Sequence, residues 1–377
     1  MEKDWVSKFT SKYDEIYYDH VSEKNEFPED FFSALGADNR FGLLVSNKNG
    51  GSEISFSEFV QNILDMSRRA GTLTYYFVAQ NLSAKLFDDH GTEKLRSLLP
   101  EVMAGKAKVN LALTEEQSGA DALSINTEAV QTGDGNYSIT GDKYCVTNGK
   151  GADYLMVAAR TSPPSDKKSH GLTTFVITEK QPAKTSFVSL GKMGLNFLPL
   201  YSVSFNGVKV SRDAVLGEID RAWSFLSRTF AADRLALGAM FVGMGRMALD
   251  RAAEYARERE VFGRKIGSNQ GIQFPLARAF IELSASEAYI LRGSEMMDNG
   301  EIDRNRDIPM GAYYHSVNAA SMAIDAALQT LGASGYLSGF VEKLYRDIRY
   351  YRMGPISEQL ALVSIAERTL NMPGAKE

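Results

Sequence analysis

One long helical pattern in the C-terminal half of the chain constrains the fold more than any other feature. From about Thr229 onward, apolar side chains recur at intervals of three or four, and charged residues hold the opposite face. The apolar positions are Leu237, Phe241, Met244, Ala248, Ala252 and Tyr255. Thirty helical residues span roughly 45 Å, which indicates a large body. Because Gly238, Gly243 and Gly245 are costly inside a helix, we expect neighbouring elements to pack closely against them.

The order of helical and β-rich segments along the chain predicts three domains. Helical patterns fill residues 1–108, β-rich runs separated by turn signals fill residues 109–218, and helical patterns return over residues 219–377. The β-rich runs are 109–113, 125–130, 137–140, 154–158, 173–177 and 203–205. This order favours a mainly α, α+β multidomain fold with a small antiparallel β domain over a doubly wound α/β sheet.

Composition and charge argue against several classes of function. The net charge of −5 disfavours nucleic acid as the main partner. No apolar run approaches the length that crosses a bilayer, and the N-terminus lacks the pattern of a signal peptide. Cys145 is the only cysteine, and the four histidines are scattered without metal-ligand spacing. We therefore expect a cytoplasmic protein with no metal, no membrane association and no disulfide.

Two segments of the β-rich region place polar and glycine residues where a ligand could be held. The first runs from Leu111 to Asp121 and reads LALTEEQSGAD, a strand followed by a turn that exposes backbone N–H groups and a hydroxyl. Taken alone, it is typical of an ordinary strand and turn. The second runs from Gly141 to Gly149 and reads GDKYCVTNG. Its Cys145 has no base beside it, which favours a small hydrophobic side chain over a nucleophile.

These two segments and several later ones resemble, in the same order, the motifs of the acyl-CoA dehydrogenase family. The long helix ends in Arg259-Glu-Val-Phe262-Gly-Arg-Lys-Ile and is followed by Gln270, which is similar to the family's flavin-contacting motif. Further similar segments are 192–194, 208–217, 329–336 and 346–347. The resemblance covers nearly the whole chain. It implies an N-terminal helical domain, a middle β-barrel-like domain and a C-terminal four-helix bundle, with FAD between the last two.

The resemblance also implies which residues hold FAD. They are Leu111, Leu113, Thr114, Gly119, Ala120, Cys145, Thr147, Arg259, Phe262, Gln270, Gln329, Gly332, Ala333, Ser357 and Gln359. The family's arginine motif commonly reaches the flavin of a neighbouring subunit, so a homodimer or homotetramer is expected. Without the other motifs, Arg259 would be interpreted as an exposed arginine favoured by a helix dipole. Three positions depart from the family pattern, because Glu116 replaces a proline, Ala120 a serine and Cys145 a tryptophan.

The residue that would take a proton from the substrate is also replaced. The family's catalytic glutamate falls on Pro355, which binds no proton. In isovaleryl and long-chain relatives the glutamate precedes the conserved arginine of the long helix, and Asp233-Arg234 matches that pair. Asp233 is therefore the candidate base and Arg234 a candidate substrate-binding residue. The alternatives are that Asp233 is a carboxylate at a helix N-terminus, stabilised by the dipole or paired with arginine, or that Glu358 is the base.

The missing glutamate suggests a narrower branch of the family. The segment 353–359, which reads MGPISEQ, resembles dehydrogenases that build hydroxymalonyl-, methoxymalonyl- or aminomalonyl-type extender units in polyketide or nonribosomal peptide pathways. There the substrate would be a short polar acyl thioester, seryl or glyceryl, on an acyl carrier protein rather than on CoA. Carrier proteins are usually acidic, and the basic run Lys343, Arg346, Arg349 and Arg352 would bind one, although such a run is also typical of a solvated helix face.

Two other functions fit the same fold. One is a flavin monooxygenase or N-hydroxylase, since relatives without the glutamate include such enzymes. The other is a non-catalytic descendant that binds a partner. A colourless purified protein that takes up no FAD would support the second alternative.

Overall fold

The N-terminal region is helical, and the computed structural model describes it from residue 4. In all it describes residues 4–165, 167–179 and 181–374. The start of the predicted N-terminal domain, residues 1–3, and the end of the predicted C-terminal domain, residues 375–377, therefore lie outside the described residues. The helices are α1 (Trp5–Thr10), α2 (Glu15–Lys24), α3 (Glu29–Ala37), α4 (Phe56–Ala70), α5 (Thr74–His90), α6 (Glu93–Arg96) and α7 (Leu99–Met103). Ser55 begins α4 as its N-cap, since its hydroxyl accepts a hydrogen bond from the Glu58 N–H at 3.1 Å.

The middle region is an eight-stranded, mainly antiparallel sheet. Its strands are β1 (Val109–Ala112), β2 (Glu128–Gln131), β3 (Tyr137–Thr147), β4 (Tyr154–Arg160), β5 (Leu172–Ile177), β6 (Thr185–Ser189), β7 (Leu200–Val210) and β8 (Val215–Leu216). The strand order is β6-β7-β3-β2-β4-β5-β8, and β1 pairs in parallel with β4. The sequence pattern missed β6 and most of β7. Strand β6 lies at the sheet edge and is largely exposed, so it carries little hydrophobic alternation.

Helices return after the sheet. They are α8 (Ala222–Glu258), α9 (Gln270–Asp298), α10 (Asp307–Leu331), α11 (Ala333–Tyr336), α12 (Phe340–Tyr351) and α13 (Glu358–Arg368), with the two-residue strands β9 (Glu260–Val261) and β10 (Arg264–Lys265) forming a hairpin. The 37 residues of α8 span roughly 55 Å. A Cβ added at Gly243 would lie 1.9 Å from Ser67 Oγ, and one at Gly245 would lie 2.7 Å from Leu283 Cδ2. The expected close packing at these glycines is confirmed.

The N-terminal helices and the C-terminal helices share one hydrophobic core. Buried side chains of α4 and α5, such as Phe59 and Phe77, belong to the same cluster as Phe241 of α8 and Tyr313 of α10. A second core lies between the sheet and the N-terminal helices, and a third lies on the other side of the sheet. The helical regions therefore form one packed body beside the sheet, and the α+β fold with its three predicted parts is confirmed.

A buried carboxylate, Asp347 of α12, ties the three regions together. It accepts hydrogen bonds from Tyr18 Oη at 2.6 Å, from Thr72 Oγ1 at 2.9 Å and from the Leu195 N–H at 2.5 Å. The first two donors belong to the N-terminal region and the third belongs to the middle region. These bonds fix how the three regions meet, and so they fix the walls of any cleft between them.

The described residues contain neither a helix suited to crossing a membrane nor a cluster of metal-binding side chains. None of the described helices combines the length and apolar character needed to cross a membrane. Within the same residues, no group of three or more His, Cys, Asp or Glu side chains is arranged to hold a metal ion.

Candidate active site

Asp233 and Arg234 interrupt a long buried stretch of α8. All of the remaining residues from Ala231 to Gly245 are buried, whereas these two side chains keep accessible surface. A helix that is buried all round except at two adjacent charged residues must face a cleft there, because a charge without water or a partner is costly to bury. These two residues mark one wall of a cleft inside the protein.

Asp233 does not lie at a helix N-terminus. Helix α8 begins at Ala222, so three turns of helix precede Asp233. The helix dipole acts mainly on the first turn, and it leaves this carboxylate without support. The interpretation of Asp233 as a dipole-stabilised carboxylate is therefore wrong, because the sequence pattern placed the start of the helix too late.

The Asp233 carboxylate has no hydrogen-bond or ion-pair partner among the residues that the structure describes. Burial raises the pKa of Asp233 to about 6, and the neighbouring Arg234 guanidinium opposes this rise. Burial in turn lowers the pKa of Arg234, while Asp233 raises it. An enclosed carboxylate with a pKa near neutrality and no partner can accept a proton from a bound molecule.

Three tyrosines face the charge of Asp233. The pKa values of Tyr75, Tyr313 and Tyr350 are raised mainly by burial and further by this carboxylate, and that of Tyr350 reaches about 12. All three phenols are therefore neutral near pH 7 and can donate a hydrogen bond. Tyr313 already donates to the Tyr351 carbonyl at 2.6 Å. The cleft around Asp233 is thus lined with polar groups, two of them free phenols.

The segment that carries the family's glutamate in relatives is a turn between α12 and α13. Glu358, the alternative base, accepts two hydrogen bonds from Arg352, at 2.6 Å from Nε and 3.1 Å from Nη2. Its carboxylate is held in a bidentate ion pair, so both of its oxygens are occupied by Arg352. At the same turn, a Cβ added to Gly354 would lie 3.3 Å from Tyr350 Oη, so the Tyr350 phenol occupies the space beside the missing glutamate.

A buried ion pair joins the two flavin-like segments of the β domain. Glu115 accepts hydrogen bonds from Lys143 Nζ at 2.8 Å and from the Asn126 and Thr127 N–H groups at 2.6 and 2.8 Å. Lys143 Nζ also donates to the Leu113 carbonyl at 2.9 Å. Burial alone would raise the pKa of Glu115, but Lys143 and the backbone donors lower it overall. The pair locks the segment around Leu113 against β3.

Strand β3 is irregular where it carries Cys145 and Thr147. Its pairing with β7 shifts register between Lys143 and Val146, and Cys145 adopts a left-handed φ of 56°. Such bulges change the direction of a side chain beside active sites. Both Cys145 and Thr147 keep accessible surface. Both lie close enough to tyrosines of the cleft to shift their pKa values, since Cys145 raises that of Tyr350 and Thr147 lowers that of Tyr75. The bulge therefore borders the same cleft as Asp233.

The residues predicted to hold FAD fit a bound cofactor. None of the fifteen is buried, although Leu111 and Leu113 flank the fully buried Ala112. A Cβ at Gly119 or at Gly332 would meet no atom within 4 Å, so the backbone there is open to a close approach. Gly332 also has a φ of 60°, which favours glycine. The structure thus leaves open surface wherever the family motif places the cofactor.

The arginine motif lies far from Asp233 within one chain. Arg259 follows the last residue of α8, and the 26 residues between it and Asp233 correspond to roughly 39 Å of helix. Phe262, at the tip of the β9–β10 hairpin, is 100% exposed, and Gln270 at the start of α9 is exposed as well. The structure does not bring these three residues to the cleft of their own chain.

The basic run on α12 is largely neutralised within the chain. Lys343 is buried and pairs with Asp19 at 2.5 Å. Arg346 pairs with Glu342 at 2.8 Å, and Arg352 pairs with Glu358. Only Arg349 of the four is exposed without a partner among the described residues. As a docking surface for an acidic partner, the run is reduced to one cation.

Sequence reasoning missed Tyr75, Tyr350 and the Glu115–Lys143 pair. Tyr75 lies in an apolar run that predicts a buried helix, and nothing in that run distinguishes it from core residues. The Glu115–Lys143 pair had a signal, because both residues lie inside the flavin-like motifs. A charged residue inside a strand pattern points to a buried partner.

Comparison with known proteins covers all three regions. Residues 1–106 match the model of the acyl-CoA dehydrogenase N-terminal domain, residues 110–208 that of the middle domain, and residues 220–370 that of the C-terminal domain. Together these matches extend over most of the chain.

Individual proteins align over nearly the full length. Mitochondrial isovaleryl-CoA dehydrogenase of Oryza sativa subsp. japonica is 30% identical, with 93% of this chain and 86% of the relative covered. The structure of a glutaryl-CoA dehydrogenase with glutaryl-CoA matches with a TM-score of 0.92, 25% identity and coverage of 99% and 95%. The prolyl acyl carrier protein oxidase AnaB matches with a TM-score of 0.88, 23% identity and coverage of 99% and 100%. The last likeness concerns the fold.

Proposed function

Because this chain belongs to the acyl-CoA dehydrogenase family and uses FAD, we propose that it oxidises a short polar acyl thioester on an acyl carrier protein, with Asp233 as the base. The observation that carries the proposal is the Asp233 carboxylate, enclosed in the cleft and without a partner among the residues that the structure describes. Glu358, the other candidate, is held by Arg352. An FAD-dependent oxidoreductase needs a base in this cleft, and Asp233 is the carboxylate free to act.

The proposed reaction begins with loss of a proton from the carbon next to the thioester carbonyl. Asp233 takes that proton, and its pKa of about 6 leaves most of it ionised at neutral pH. When bound, FAD would accept a hydride from the adjacent β-carbon, so that a carbon–carbon double bond would replace the two C–H bonds that are lost. Arg234, whose guanidinium shares the cleft and has no hydrogen-bond partner among the described residues, would bind the polar acyl group or the developing negative charge.

The polarity of the cleft supports a short polar acyl group. A hydrocarbon tail would cover the phenols of Tyr75 and Tyr350 and the charge of Arg234 without replacing their hydrogen bonds to water. Each such loss costs roughly 1–3 kcal/mol. A seryl or glyceryl group carries its own donors and acceptors and avoids this cost. We place the protein in the branch that makes aminomalonyl- or hydroxymalonyl-type extender units for this reason.

The distance between the arginine motif and Asp233 supports a homo-oligomer. One chain cannot use Arg259 and Asp233 on the same flavin ring, because roughly 39 Å of helix separates them. We propose that Arg259, Phe262 and Gln270 complete the cofactor site of a neighbouring subunit in a homodimer or homotetramer. The full exposure of Phe262, a large apolar side chain, fits a surface that another copy covers.

The basic run on α12 does not by itself indicate a carrier protein, since three of its four cations are paired within the chain. What supports it is the polar cleft and a fold that also accommodates a prolyl group on an acyl carrier protein. A cytoplasmic location belongs to the same proposal.

The proposed function is tested by adding thioesters to the FAD-loaded protein without oxygen and following the loss of flavin absorbance. Seryl, glyceryl and butyryl groups are each presented on CoA and on a phosphopantetheinylated carrier protein. We expect the polar groups on the carrier to bleach the flavin at least about tenfold faster than butyryl-CoA. Butyryl-CoA acting as fast as any polar thioester would contradict the polar substrate, and equal rates on both supports would contradict the carrier.

Neither alternative function is favoured by a feature of the cleft. A non-catalytic binding protein would have no use for an unpaired, enclosed carboxylate opposite a cofactor wall. A monooxygenase would be recognised by rapid reoxidation of the reduced flavin in air through a stable peroxyflavin, which the same preparation can test.

A further inference from the structure

Tyr75 faces the cleft from a segment that is otherwise buried. From Gly71 to Val78 every residue is buried except Tyr75. Its neighbours fix the backbone, because Thr74 is fully buried and the Tyr76 phenol donates to the Phe197 carbonyl at 2.8 Å. The Tyr75 side chain is therefore held in one direction, out of the first turn of α5 and into the cleft.

The groups around the Tyr75 phenol leave its proton free. Thr147 lowers the pKa of Tyr75 against the larger, opposite effect of burial, which places the two side chains near each other. Tyr75 Oη forms no hydrogen bond with a described residue, so its O–H has no acceptor among them. Asp233 and Tyr350 are the other polar groups in range, and neither lies within hydrogen-bonding distance. A gap remains between the phenol and the carboxylate.

A ligand atom can fill this gap. An acyl group whose α-carbon faces Asp233 brings its substituents between Asp233, Tyr75 and the wall of β3. A hydroxyl or amino substituent there can accept the Tyr75 proton, whereas a methyl group leaves that donor unsatisfied. Sites that hydrogen-bond a polar substituent reject analogues that lack it far more strongly than apolar pockets reject an extra group.

We infer that Tyr75 is the residue that selects for a polar acyl substituent, by donating a hydrogen bond to a hydroxyl or amino group of the substrate. This inference rests on the proposed function for the identity of the thioester, and it adds the residue that distinguishes polar from apolar acyl groups. Tyr75 is a specificity-determining residue and takes no part in moving the proton.

The experiment compares binding of two unreactive ligands, the S-(2,3-dihydroxypropyl) and S-propyl thioethers of a phosphopantetheinylated carrier protein, to the FAD-loaded protein. Both are thioethers, so neither can be oxidised through an acidic α-proton, and they differ only in two hydroxyl groups. Affinities are measured from the shift of the flavin spectrum. In Tyr75→Phe we expect the preference for the dihydroxypropyl ligand to fall about tenfold, with little change for the propyl ligand.

Tyr76→Phe is the matched control. It makes the same chemical change one residue away, at a phenol that bonds a backbone carbonyl outside the cleft. We expect it to leave the preference unchanged. Tyr350→Phe tests the other free phenol, and a larger loss there than in Tyr75→Phe would overturn the assignment.

The outcomes separate the inference from the proposed function. If Tyr75→Phe lowers the preference but glyceryl thioesters never bleach the flavin, the inference stands and the proposed function falls. If glyceryl thioesters bleach the flavin while the preference is the same in wild type and Tyr75→Phe, the function stands and the inference falls. If neither thioether perturbs the flavin, both are overturned.

Discussion

Two buried aspartates of the C-terminal bundle, Asp233 and Asp347, differ in what surrounds them. Burial raises the pKa of both. Asp347 accepts three hydrogen bonds, from Tyr18, Thr72 and the Leu195 N–H. Asp233 accepts none from the described residues. The same side chain in the same bundle is committed to structure in one place and left free for a bound molecule in the other.

The difference in hydrogen bonding between Asp233 and Asp347 determines whether the free-energy cost of burying the carboxylate is offset by donors or raises its affinity for a proton. At Asp347, donors from separate regions offset the loss of water, so its removal would leave those donors unsatisfied. At Asp233, no described residue donates a hydrogen bond, so the cost of burial that Arg234 does not offset appears as affinity for a proton. An unsatisfied group is therefore informative when a fully satisfied group of the same kind lies nearby for comparison.

The largest effect is expected from Asp233→Asn. The amide keeps the size of the side chain but cannot take the proton, so flavin reduction by a substrate thioester should slow at least about 100-fold. Bound FAD and the fold should be retained, since Asp233 supports neither. Stopped-flow measurement of flavin bleaching checks this.

Glu358→Gln serves as the control for that variant. Glu358 is held by Arg352, so its replacement should change the rate of flavin reduction little. Slow reduction in Glu358→Gln together with a wild-type rate in Asp233→Asn would show that the other carboxylate is the base.

Asp347→Ala should have the opposite profile. It leaves two hydroxyls and a backbone N–H without an acceptor, and we expect the free energy of unfolding to fall by roughly 2–5 kcal/mol. Urea denaturation measures this change, and Asp233→Asn is the matched comparison. Equal destabilisation by the two variants would remove the distinction between the aspartates.

The pH dependence of flavin reduction should report the ionisation of Asp233. Asp233 must be ionised to act, so the rate of flavin reduction should fall as pH decreases through about 6, by about tenfold for each further unit. Since the pKa of Asp233 in the folded protein lies above that of an aspartate in water, the stability that protonated Asp233 contributes is lost as pH rises through about 6. Asp233→Asn should then be at least as stable as wild type at pH 8. A rate independent of pH between 5 and 7 would contradict this role for Asp233.

Arg259→Ala tests a residue outside the cleft altogether. If Arg259 binds the flavin of a second subunit, its loss should weaken FAD retention by about tenfold, the value of one hydrogen bond to a charged group. Equilibrium dialysis of FAD measures this, and Arg251→Ala, an exposed arginine on the same helix, is the control. Unchanged retention would contradict the subunit-spanning site.

The smallest effect is expected from Arg349→Glu. As the one unpaired cation of its run, Arg349 should contribute about twofold to threefold to kcat/KM with a carrier-linked substrate at low salt, and less at high salt. Turnover of the CoA substrate is the internal control. An equal loss with both substrates would indicate a general effect on the fold.

The sequence was sufficient for the fold and for a candidate base because both depend on local patterns. Motif segments are contiguous, and the Asp233-Arg234 pair can be recognised from two adjacent residues. The boundaries of α8 were less accessible, since Thr229 and the residues before it lack a distinct cap. That error alone produced the mistaken alternative in which Asp233 was a dipole-stabilised carboxylate.

What surrounds a charged residue could not be predicted, because its partners come from distant parts of the chain. Lys343 was predicted as part of a basic surface, yet Asp19 pairs with it across 324 positions. Asp233 and Asp347 look equivalent in sequence, and only the structure shows which of them has donors. Tyr75 illustrates the same limit from the opposite side, because a helical apolar pattern cannot show which of its members borders a cleft.

The hydrogen bond between Tyr18 and Asp347 also sets the timing of assembly during synthesis. The two residues are 329 positions apart. A ribosome adding roughly 5–20 residues per second needs roughly 15–65 s to make the chain between them. During that interval α12 has not yet been made, so the apolar surface of the N-terminal helices that it covers in the folded protein is exposed. A chaperone bound to the nascent chain would protect that surface, and stalling the ribosome before residue 347 should leave the first hundred residues sensitive to protease.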